Sequence, residues 1–119
     1  MIALNVSDEG SKIVTSTPTT AKGKATKIDT KDRQPSVTLL SGNGTAEVAV
    51  NEAGQLETTV HHGTVAEGED FEVSTFELSA DADNDAGEDR AITETIVSTT
   101  TRAEATSLNS TVGEEIPDA

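Results

Sequence analysis

The chain has 119 residues, enough for one domain with one core, and its Leu, Ile, Val and Phe content of about a fifth offers little to bury. With 22 acidic residues against 8 basic ones, a net charge of −14, it repels the phosphates that nucleic-acid binders must neutralise, so DNA and RNA are excluded as expected partners. The lack of cysteine excludes disulfide staples, thiolate metal cages and thiol nucleophiles.

Met1 is followed by IALNVSDEG, which lacks the basic start and apolar core of a secretory signal, and no stretch is long and apolar enough to span a bilayer. A soluble, leaderless chain with no membrane contact is expected. The acidic excess, the scarcity of Lys and the two aromatic residues suit salt-rich surroundings, where screening removes the self-repulsion of so many carboxylates, so a halophilic source is one expectation; that the charge simply keeps the chain in solution is the other.

Charge divides the chain. Through Arg33, six basic residues (Lys12, Lys22, Lys24, Lys27, Lys31 and Arg33) face four acids, whereas from Gln34 onward two basic residues face eighteen acids. The segment 10–35, GSKIVTSTPTTAKGKATKIDTKDRQP, is rich in Thr, Lys and Gly, has Pro18 and Pro35 as breakers, and offers only Ile13, Val14 and Ile28 for burial. Residues 1–35 are therefore expected to form an extended N-terminal arm whose basic side chains meet an acidic neighbour.

From Ser36 the pattern becomes one of short strands with polar breaks. Val37 and Leu39 share a face, SGNG at 41–44 supplies a turn, and Ala46, Val48 and Val50 alternate with polar neighbours. NEAG at 51–54 closes a hairpin onto a strand with Leu56, Thr58 and Val60 on one face. Phe71, Val73, Phe76, Leu78 and Ala80 form the most apolar run, and the change of parity between Val73 and Phe76 predicts a bulge or kink. Residues 91–101, dense in Thr, Ile and Val, are expected to pair antiparallel with 71–80, and Leu108 with Val112 suggests one last strand before a tail at 114–119. The body at 36–113 thus reads as an all-β sandwich.

Candidate chemistry is sparse. The acidic stretch DADNDAGED places Asp81, Asp83 and Asp85 at alternate positions, a spacing at which carboxylates can wrap Ca²⁺, but Ala86 and Ile92 stand where an EF-hand needs Gly and Glu. A solvated hairpin loop is the competing reading. His61 and His62 have no further ligand nearby in sequence, and no GxSxG, phosphate loop or HExxH pattern is present. With Phe71 and Phe76 as the only aromatic residues, apolar walls that would tune a catalytic carboxylate are missing. The expectation is a protein that is not an enzyme and needs no cofactor, Ca²⁺ excepted.

The segment FELSADADNDAGEDRAITETIV at 76–97 resembles the terminal hairpin of Ig-like domains in structural proteins of tailed bacterial or archaeal viruses, and ATSLNSTVG at 105–113 is similar to their closing strand. Upstream, AEVAVNEAGQLETTVHHG is similar to bacterial Ig-like repeats, departing from them at Ala66–Glu69. The resemblance implies a small Ig-like antiparallel β-sandwich with no catalytic residues, acting as a capsid decoration or cement protein. It would be assembled into the virion in the host cytoplasm, bind the major capsid protein or other virion proteins, and self-associate as a homo-oligomer. The alternative in a different class is an Ig-like adhesin or receptor-binding module using the loops at 41–44 and 81–89.

Overall fold

The computed structural model describes residues 1–28, 30, 33–81, 91–103 and 108–117. Among them lie seven strands and no helix: β1 (Ile2–Ser7), β2 (Ser11–Ser16), β3 (Ser36–Ser41), β4 (Thr45–Val50), β5 (Leu56–His61), β6 (Phe71–Asp81) and β7 (Ala91–Thr101). They form a two-layer β-sandwich, with a four-stranded sheet in the order β1-β7-β6-β3 facing a three-stranded sheet in the order β2-β5-β4. All pairings are antiparallel except β1 with β7, which is parallel.

The alternation of side chains decides what is buried. Leu56, Thr58 and Val60 of β5 point inward, as do Phe76, Leu78 and Ala80 of β6 and Ile96, Ser98 and Thr100 of β7. The apolar members of this set, with Ile28, make one cluster in which Phe76, Val60 and Ile96 are at most 1% exposed. The antiparallel pairing of 71–81 with 91–101 is continuous, from Phe71 opposite Thr101 to Asp81 opposite Ala91. The meander at 45–61 also has the expected register, with Val48 opposite Thr58 and Val50 opposite Leu56.

Three expectations are overturned. The first 35 residues are not an arm: β1 runs beside β7, and β2 runs beside β5 with Val14 opposite Thr58, so each sheet takes a strand from this segment. Residues 18–26 then form a small hairpin, with Thr26 N–H donating to Pro18 C=O at 2.9 Å and a bridge between Thr19 and Ala25. Ile28 follows into the core, its N–H donating to Gly54 C=O at 3.1 Å. A Lys- and Thr-rich stretch reads as arm because an edge strand over a small core needs only one or two apolar anchors, and Val14 is the anchor of β2.

Second, β6 has no register shift against β7; the irregularity falls instead in β3, between Leu39 and Ser41. The apparent parity change arises because Phe71 and Val73 point outward, 57% and 41% exposed, while the polar Ser74 takes the inward position. Third, Leu108 and Val112 form no strand; they are 92% and 100% exposed.

Phe76→Ala is expected to destabilise the protein by about 3–5 kcal/mol, whereas Phe71→Ala should change stability by less than about 0.5 kcal/mol; urea unfolding midpoints distinguish the two. Removing residues 1–16 takes one strand from each sheet, so the truncated protein should lose its cooperative unfolding transition altogether.

Candidate functional site

The residues singled out from the sequence do not converge. Lys12 lies exposed on β2, Lys22 and Lys24 sit at the tip of the 18–26 hairpin, and Lys27 packs over Gly54. Arg33 reaches back to β6, its Nη1 donating to Ser79 Oγ at 3.0 Å. Lys31 lies outside the described residues, as do Asp83 and Asp85. Asp81 closes β6 and is fully buried. Among the described residues no group of three or more His, Asp or Glu is placed to hold a metal ion. His61 Nε2 meets Glu47 Oε1 at 2.8 Å across the outer face of the three-stranded sheet, a diagonal cross-strand contact, while His62 Nδ1 lies 3.1 Å from Gly63 C=O.

One pole of the sandwich is closed by hydrogen bonds. Asn43, in the β3–β4 turn, donates through Nδ2 to Thr64 C=O at 3.1 Å and accepts the Thr64 N–H at 2.7 Å, tying two connections together. Its backbone N–H donates to the Glu72 carboxylate at 3.1 Å. Ser74 Oγ accepts the Gly44 N–H at 2.8 Å and donates to Glu72. Thr100 Oγ1 accepts the Gly63 N–H at 2.8 Å. The turn approaches β6 so closely that a Cβ on Gly42, whose φ is +90°, would come within 2.6 Å of Ser74 Cα. A Ser beside a carboxylate invites a catalytic reading, but this hydroxyl is 2% exposed and engaged on both sides, so its chemistry is that of a clamp.

At the opposite pole the described residues leave a depression, the β6–β7 connection there lying outside them. A cleft of about 360 Å³ lies between the start of β1 and the end of β2, floored by Ile2, Ile28, Leu56, Leu78, Ala80 and Ile92 and rimmed by Thr15, Thr17, Thr19, Thr93 and Glu94. The 18–26 hairpin rises from this rim and carries Lys22 and Lys24 exposed.

A third feature is the outer face of the four-stranded sheet. Its cross-strand rows read Ala3, Val97, Thr75; then Asn5, Thr99, Val73; then Ser7, Thr101, Phe71; and, toward the cleft pole, Thr95, Glu77, Thr38 followed by Thr93, Ser79, Ser36. Glu77 is the one charged residue in these rows, with the Arg33 guanidinium at their margin on Ser79. Elsewhere acids crowd the connections, at Asp8, Glu9, Glu52, Glu67, Glu69 and Asp70. Sequence reasoning missed this face because it follows from the parity of β6 and β7. The signal was present in the odd positions of 91–101, which hold Thr93, Thr95, Val97, Thr99 and Thr101 without a charge.

These features belong to a seven-stranded, two-sheet β-sandwich with a hydrogen-bonded pole, a cleft at the opposite pole and a nearly uncharged face. No family model matches the sequence, and neither a curated protein nor a solved structure gives a significant match.

The buried hydroxyls separate into clamps and passengers. Ser74→Ala strands the buried Gly44 N–H and is expected to cost about 1–3 kcal/mol. Thr58 Oγ1 and Ser98 Oγ are buried with no hydrogen-bond partner among the described residues, so Thr58→Val and Ser98→Ala should leave stability unchanged or raise it by about 1 kcal/mol. Chemical denaturation of the three variants checks both signs.

Proposed function

We propose that the chain is a non-enzymatic structural subunit of a virion, a capsid decoration or cement protein that seats the outer face of its four-stranded sheet on the major capsid shell and associates with its own copies. The observation that carries this reading is the distribution of charge. Among the described residues Glu77 is the one exposed acid in the cross-strand rows of this face, Asp81 at the end of β6 being buried. An acidic surface resists burial against another protein because each carboxylate must be desolvated, whereas Thr, Val and Ala cover area at little cost. With β6 and β7 about 35 Å long and β1 and β3 about 20 Å long, each about 4.8 Å wide, the face offers roughly 500 Å², the area of a small interface that a second contact would supplement.

The strand order supports the Ig-like part of the reading. In an immunoglobulin-type sandwich the second, fifth and fourth strands share one sheet and the third, sixth and seventh the other. The same division occurs here, with β1 joining the second of these sheets beside β7. The resemblance of residues 76–97 to the terminal hairpin of virion Ig-like domains supports the setting, and the composition supports a salt-rich one.

The test is co-sedimentation with assembled capsid shells of the source virus. The wild-type protein should pellet with shells, and Val73→Glu combined with Thr99→Glu, two neighbours on the face, should weaken binding at least tenfold while leaving the urea midpoint nearly unchanged. Failure of the wild-type protein to pellet, or full binding by the charged variant, overturns the reading; binding to host cells in place of shells would establish the adhesin alternative.

A further inference from the structure

We propose that the segment following β7 is a strap that docks into the cleft of a second copy, joining subunits head to tail. Leu108, Val112 and Ile116 are 92%, 100% and 84% exposed, among the most exposed large apolar residues of the chain. They are spaced four apart, so in an extended segment all three fall on one side. Such a row of anchors in water, with no contact to its own body, is a hydrophobic face without a partner.

The cleft at the opposite pole offers the complementary surface. Its floor is aliphatic: Leu56, Leu78 and Ala80 are buried core residues at its base, Ile2 is half-buried and Ile92 is 42% exposed, and about 360 Å³ is room enough for anchoring side chains. Charge matches as well. Glu114 and Glu115 precede Ile116, and Lys22 and Lys24 stand exposed on the hairpin that forms the cleft rim. Glu94 lies on the same rim, ion-paired with the Met1 ammonium at 2.9 Å.

Connectivity favours a neighbour over self-docking. β7 begins at the cleft pole with Ala91 and ends at the closed pole with Thr101. Leu108, seven residues beyond Thr101, reaches at most about 25 Å, short of the roughly 35 Å strand it would have to retrace; Val112 and Ile116 reach farther, so it is a strap seated by all three anchors together that requires a second molecule. A second molecule stacked pole to pole brings its cleft within that reach. The contact pairs unlike surfaces, so it propagates into a ring where the rotation closes and into a string where it does not.

This contact gives a route to the self-association in the reading above, yet it stands on the strap and the cleft alone. The experiment is sedimentation velocity across a concentration series on the full chain, on a variant lacking residues 108–119, and on Ile92→Arg, which puts a charge into the cleft. Wild type should form assemblies larger than a dimer, both variants should be monomers, and Ile92→Leu should behave as wild type. An equimolar mixture of the two monomeric variants should form a 1:1 heterodimer and nothing larger, since one supplies the only free cleft and the other the only strap. Lys22→Glu with Lys24→Glu should weaken assembly about tenfold. A monomeric wild type, unchanged assembly after removal of 108–119, or a mixture that stays monomeric overturns the proposal. Urea midpoints of the variants keep misfolding from passing as a positive result. The variant lacking 108–119 should still pellet with shells, so loss of shell binding by the face variant and loss of assembly by the strap variant are separate outcomes.

Discussion

The ladder between β6 and β7 is the constraint on which the rest of the molecule depends. Its pairing runs unbroken from Phe71 opposite Thr101 to Asp81 opposite Ala91 and sets Phe76 against Ile96 at the centre of the core. Because side chains alternate, the same ladder fixes the outer surface: once Phe76, Leu78 and Ile96 point in, Val73, Thr75, Val97 and Thr99 must point out. Core and candidate docking face are two sides of one register, and a slip of one residue would exchange them.

That coupling explains what could be read from sequence and what could not. The strands at 45–50, 56–61, 71–81 and 91–101 were legible because alternation of Val, Leu, Ile and Ala with polar residues is the direct imprint of one dry and one wet side. Strands β1 and β2 were hidden by composition. In SKIVTS the adjacent Ile13 and Val14 carry no parity, and only the pairing with β5 turns Val14 inward and leaves Ile13 64% exposed. Ser74 misled for the converse reason. A polar inward residue breaks the apolar pattern, but it occupies that place because Gly44 and Glu72 satisfy its hydroxyl, partners thirty residues away and two residues away that no local pattern relates. The cleft and the uncharged face were out of reach because each is assembled from strands that are distant in the chain.

The two poles show opposite solutions to ending a sandwich. At one, the Asn43, Glu72, Ser74 and Thr100 side chains bind the β3–β4 and β5–β6 connections to each other and to the strands, and Arg102 adds bonds from Nε to Glu69 C=O at 3.1 Å and from Nη2 to Ala66 C=O at 2.7 Å. At the other, the described residues leave Ile92 42% exposed and Ile2 half-buried beside a rim of threonines. Hydrogen bonds make an end that is complete in itself, whereas exposed aliphatic surface makes one that gains by being covered. Among the described residues the molecule is thus directional, its hydrogen-bonded end and its cleft separated by the length of β7.

The parallel pairing of β1 with β7 gives this direction a mechanical meaning. Ile2 lies opposite Ile96 and Ser7 opposite Thr101, so the chain enters the sheet from the cleft side and leaves β7 at the closed pole. Tension applied between residues 2 and 101 pulls the two strands along each other in opposite senses. The bonds of the ladder then bear the load together in shear, instead of parting one by one as they would in a peeled hairpin. A molecule held at its two ends would present its stiffest axis to the force.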